Sequence, residues 1–154
     1  MPSPTPTEQL HHCLVGVDGS TLSQQAFCHA LDMVSHAGGM ISAVAVIHSP
    51  AIVLADPQDR QALIEAERLR LSACLADCVS NFSSKTASMP NDIQLHTEIL
   101  EGEPVATLLA FAKQKCVNHI VLGHRSKGPI ETLLMGSVAK GIVDAAACTV
   151  TVVR

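Results

Sequence analysis

The sequence predicts a single α/β domain: an open, five-stranded parallel sheet of order 3-2-1-4-5, with helices on both faces, Rossmann-like in its winding. Three observations carry this. Short apolar runs alternate with longer stretches whose apolar residues recur every three or four positions, from His12 to Arg154. The runs are mostly uninterrupted by polar residues, as in strands buried on both sides of a parallel sheet. Right-handed crossovers then leave few windings, and the economical one moves outward from strand 1 in one direction before returning to its other side. A chain of 154 residues is the length of one domain and can bury roughly two thirds of its unfolded surface.

Each element has its own signal. Residues 1–11, rich in Pro, Thr and Ser, read as a flexible tail ahead of a domain over 12–154. "CLVGVD" (13–18) is an apolar strand ending on Asp, and Gly19-Ser20 supplies a turn and a helix N-cap. Leu22, Ala26, Ala30, Leu31 and Val34 space a helix to about His36, stopped by Gly38-Gly39. "ISAVAVIH" (41–48) is strand 2, and the two prolines of "PAIVLADPQD" predict an irregular connection. A long helix over 58–82 follows from Ala62, Leu63, Ala66, Leu69, Leu71, Leu75 and Val79, with Glu65, Glu67, Arg68 and Arg70 mostly on the outer face. After the polar loop 81–92, "IQLHTEIL" (93–100) alternates, which predicts a strand at or near an edge. Pro104 opens a helix to Cys116, striped by Val105, Leu108, Leu109 and Ala112. "HIVLG" (119–123), a helix over 137–146 and "CTVTVV" (148–153) complete the order.

Composition removes several functions. A net charge of −4 without any block of like charge offers no general attraction for nucleic acid, and the absence of Trp and Tyr removes base-stacking platforms. No apolar run reaches the ~20 residues that span a bilayer, so no membrane partner is expected. The N-terminal "MPSPTPTEQLHH" has neither the basic start nor the apolar centre of a secretory signal. The six cysteines lie in apolar stretches, as reduced thiols of a cytoplasmic protein would. Cys74 and Cys78, one helical turn apart, read as small apolar residues on a buried face, and no metal site is assigned.

In a sheet of this order, ligands sit outside the carboxyl ends of strands 1 and 4, where the winding reverses. Those ends are Asp18 and Gly123. Gly123 opens "GHRSKGPIETLLMGS" (123–137), in which Arg125 and Lys127 stand among glycines and Gly136-Ser137 starts a helix. Loop amides and a helix N-terminus together favour a phosphate, with Arg125 adding charge and Lys127 equally readable as a solvated side chain. Asp18 suits ribose hydroxyls or an adenine amine, and Val46 an apolar wall for the base. The same glycines also serve a tight strand-to-helix turn and a self-capped helix without any ligand. Neither a Gly-Lys-Ser phosphate loop nor a Gly-x-Gly-x-x-Gly dinucleotide turn is present.

On these residues the sequence resembles the universal stress protein family, from Leu14 to Arg154. The family signature of Gly, two residues, Gly, nine residues, then Gly and Ser or Thr reads here as Gly123-His124-Arg125-Ser126, nine residues, Gly136-Ser137. "VGVDGS", "LEGEPVATLLAFA", "HIVLG", "LLMGSVAKGIV" and "CTVTVVR" are similar as well. The resemblance implies the fold above and ATP as the ligand of members with an intact loop, with Mg²⁺ held mainly by the phosphates. It places Gly16, Val17 and Asp18 along adenine and ribose, with Val46 and Leu122 beside the base. It sets Gly123, Arg125, Ser126, Gly136, Ser137 and Val138 around ribose and phosphates. Ser126 departs from the signature glycine; should its φ be positive, a Cβ costs on the order of 1 kcal/mol, a roughly fivefold weakening.

The implied role is an ATP-binding stress or signalling module, homodimeric through its last strand, with an unspecified protein partner. A weak ATPase and a nucleotide-free dimer are the alternatives. Hydrolysis needs a water-orienting group, and His124 and Glu131, each readable as solvent-facing, are the candidates in the loop.

Overall fold

The structure, a computed structural model, describes residues 11–89, 92–124 and 135–154. In chain order it comprises β1 (His11–Gly16), α1 (Thr21–Ala37), β2 (Gly39–Ile47), α2 (Pro50–Leu54) and α3 (Pro57–Thr86). Then come β3 (Ile93–Glu101), α4 (Pro104–Gln114), β4 (His119–Gly123), α5 (Ser137–Ala145) and β5 (Thr149–Val153). All pairings are parallel and the strand order is β3-β2-β1-β4-β5, as expected from the alternation.

The central strand explains why the apolar runs carry no alternation. In β1, Cys13 and Val15 pack with α1 and α3, while Leu14 packs on the opposite face with α4 and α5; all three are fully buried. Phe27, Leu31, Ile41, Leu71 and Val121 fill the first layer. Leu108, Phe111, Ile120 and Ile142 fill the second. β3, at the edge, holds no buried residue.

Local chemistry sets the helix ends. Ser20 takes the Ser23 N–H at 3.1 Å to start α1, and Gly38, at φ 74°, returns its N–H to Val34 O at 2.8 Å to end it. Glu103 caps α4, accepting from Val105 N at 3.1 Å and Ala106 N at 2.7 Å, with Pro104 behind it. These two amides hold the Glu103 carboxyl below its usual range.

Four expectations are corrected. His11 already belongs to β1 and not to the tail. Pro50–Leu54 is a short helix and not an irregular connection: Ser49 caps it through Ala51 N, and Pro50 sits in its first turn, where the missing N–H costs nothing. α3 continues to Thr86, four residues past the expected end, because Phe82 still packs on the core while Ser83 and Ser84 face solvent. Within α3, Leu71, Leu75 and Cys78 are buried, whereas Leu63, Leu69 and Val79 are exposed. At about 100° per residue Leu69 lies roughly 160° around the helix from Leu71, so the two cannot share a face.

Candidate functional site

The carboxyl ends of β1 and β4 form two walls of one hollow of about 290 Å³. β1 ends at Gly16, two residues before the expected Asp18, but Val17 still donates to Val44 O at 2.9 Å and carries the chain forward. Asp18 therefore stands in the turn that follows, not on the strand. Its Oδ1 accepts the Ser20 N–H at 2.8 Å and its own N–H points to Ser23 Oγ at 3.4 Å. Gly19 takes φ 82°, a left-handed conformation that glycine adopts without strain.

Gly16, Val17, Asp18, Val46, Leu122, Gly123, Gly136, Ser137 and Val138 all line this hollow, so nine of the sequence-predicted positions converge. Arg125 and Ser126 lie outside the described residues, as do Lys127 and Glu131. Apolar side chains of Val17, Val44, Val46, Leu108 and Leu122 make up much of the lining, beside polar groups of which Ser23 and His124 are buried.

Three details differ from expectation. The Gly136 N–H is not open to a ligand, because it donates to His124 O at 2.8 Å. Among the described residues, the amides left unpaired are instead those of the first α5 residues, a helix whose N-cap Gly136 supplies no side-chain cap. His124 does not face solvent: it is buried against the hollow, its N–H donating to Val153 O at 2.7 Å. Finally, Gly123 is required by packing. A Cβ there would lie 2.8 Å from Leu22 Cβ and 2.9 Å from Leu22 C, so the end of β4 approaches the first turn of α1 as closely as glycine permits.

Sequence reasoning missed Glu67 and Arg70, assigned to the outer face of α3. Both line the hollow. Arg70 grips Glu67 with two bonds, Nε to Oε2 at 2.9 Å and Nη2 to Oε1 at 2.6 Å, and donates Nη1 to the main-chain oxygen of Asp18 at 3.1 Å. The signal was their position relative to Leu71: Glu67 lies four residues before it and Arg70 one, which puts them on the flank of the buried stripe. His48, one residue past the end of β2, was likewise missed. Among the described residues no three His, Cys, Asp or Glu side chains converge as metal ligands.

The model of the universal stress protein family matches residues 9–154. The chain belongs to the universal stress protein family. It is 29% identical to a universal stress protein of Methanocaldococcus jannaschii over 143 residues, covering 92% of this chain and 80% of that one. The solved universal stress protein UspA of Lactobacillus plantarum is 30% identical, with 94% and 97% of the two chains covered and a TM-score of 0.72. A universal stress protein family protein of Arabidopsis thaliana, solved with AMP bound, shares the fold at 19% identity, covering 93% and 90%, TM-score 0.61. In this universal stress protein, no described helix is long and apolar enough to cross a membrane. All six cysteines are free, and burial pushes the thiols of Cys13 and Cys78 up to about 11 and about 12.

Proposed function

We propose that the hollow binds an adenine nucleotide, ATP foremost, and that the protein is a cytoplasmic, nucleotide-dependent stress or signalling module. The observation that carries this reading is the pairing, across an apolar lining, of the Asp18 carboxylate with the uncapped start of α5. The apolar lining suits a base. The carboxylate suits hydroxyl or amine donors, and the α5 amides, with the positive end of the helix dipole, suit a phosphate. The AMP held by the Arabidopsis family member supports adenine as the base. Mg²⁺, in this reading, is carried by the phosphates, since no described side-chain set converges on a metal. Homodimerisation is proposed through β5, an edge strand whose outer side pairs with no described strand.

Weak hydrolysis is the second reading, favoured by one observation: His124 is buried in the wall of the hollow instead of facing solvent. Acid extraction of nucleotide from purified protein, followed by chromatography, tests both. ATP near one per chain supports binding, ADP alone supports turnover, and no nucleotide, with none taken up on incubation with ATP and magnesium, refutes the proposal. Gly136→Glu, which puts a carboxylate at the start of α5, should abolish occupancy while leaving the fold intact by circular dichroism; unchanged occupancy would put the ligand elsewhere.

A further inference from the structure

We infer that Arg70 is a positioning residue of the hollow: from α3 it holds the Asp18–Gly19 turn in the one arrangement that leaves a single Asp18 oxygen free for a ligand. The inference rests on the nucleotide reading above. Within Asp18, the N–H faces Ser23 Oγ, Oδ1 takes the Ser20 N–H and the main-chain oxygen takes Arg70 Nη1, so among the described residues only Oδ2 lacks a protein partner. The peptide joining Asp18 to Gly19 would otherwise be easy to flip. Glycine tolerates either sign of φ, so little steric cost separates the two orientations of that carbonyl.

A charge-assisted bond to the carbonyl selects one orientation. It can do so only if the guanidinium is itself fixed, and the two-point grip of Glu67 fixes its plane. The restraint reaches across 52 positions of sequence. Arg70 is about as exposed as many surface arginines, with 38% of its side chain accessible, yet its donors point at the site and at Glu67. Lysine, a point charge without a fork, cannot reproduce the geometry.

The experiment measures dissociation constants of the full-length protein by calorimetry for ATP, 2′-deoxy-ATP and inosine triphosphate. The analogues remove the ribose hydroxyl and the adenine amine that an Asp18 oxygen would accept from. Wild type should prefer ATP about tenfold over one of the two. Arg70→Gln and Arg70→Lys should each weaken ATP about tenfold and shrink that preference below twofold, with secondary structure unchanged. A parallel loss for all three nucleotides, with the preference intact, would make Arg70 a mere tether of α3 and overturn the inference. So would unchanged affinities, or a wild type that binds all three alike. A wild type that binds none would overturn the nucleotide reading itself, whereas binding without an Arg70 effect overturns only this inference. Should Arg70→Gln fail to fold, Glu67→Gln loosens the fork while keeping the bond to Asp18, and must show the same loss of preference at smaller amplitude.

Discussion

Replacing Gly123 by alanine separates two explanations of a glycine at the end of β4: room for a ligand, or room for α1. The added Cβ would lie 2.8 Å from Leu22 Cβ, 2.9 Å from Leu22 C and 3.1 Å from Leu22 O. Carbon atoms in ordinary contact sit at about 3.5–4.0 Å, so β4 and the first turn of α1 must part by more than half an ångström, and two of the three atoms met are backbone. Overpacking of this kind costs about 1–3 kcal/mol. At roughly 2–4 °C per kcal/mol for a chain of this size, the melting temperature should fall by about 2–12 °C. Gly16→Ala is the internal control. Its Cβ meets Leu122 Cδ2 at 2.9 Å and Leu108 Cδ1 at 3.5 Å, both tips of side chains that can turn away. The lost chain entropy of the unfolded state returns ~0.4–1 kcal/mol, so that variant should melt within a degree or two of wild type. Thermal melts of the two variants followed by circular dichroism decide the matter. Equal melting temperatures, with ATP affinity lost only in Gly123→Ala, would refute the packing argument and restore the ligand as the reason for the glycine.

Three further outcomes follow from the same structure. Burial, and then the nearby His11 and His29, hold the His119 imidazole below its ordinary 6.5, so the unfolded chain takes up the proton first and stability falls as pH drops below 6.5. His119→Gln, which keeps a partner for Thr151 Oγ1, should flatten melting temperature against pH between 7 and 5; an unchanged slope would mean that His119 does not titrate there. Glu103→Gln keeps an acceptor at the α4 cap but removes its charge, and should cost about 0.3–1 kcal/mol at neutral pH. Because the folded carboxyl sits below its usual 4.5, that difference should vanish as the pH is lowered through 4.5 and beyond; a difference that persists in acid would assign the loss to something other than the charged cap. In native protein, a thiol reagent should modify the exposed Cys116 quickly, and Cys13 and Cys78 only on unfolding; early labelling of Cys78, found by peptide mapping, would contradict its burial on the core-facing side of α3.

The sequence by itself determined the strand order and five positions that line the hollow, Asp18, Val46, Gly123, Gly136 and Ser137, because these follow from local signals, while the family resemblance added Gly16, Val17, Leu122 and Val138. Apolar runs, glycine punctuation and the reversal of winding are readable one segment at a time. Only the tertiary structure decided what depends on neighbours distant in the chain. It turned Glu67 and Arg70 toward Asp18, since a helix is amphipathic by sequence but its rotation is fixed by what it packs on. It spent the Gly136 amide on His124 and made Gly123 a contact with Leu22. Hydrogen-bond pairing and close packing belong to pairs of segments, and no single segment records its partner.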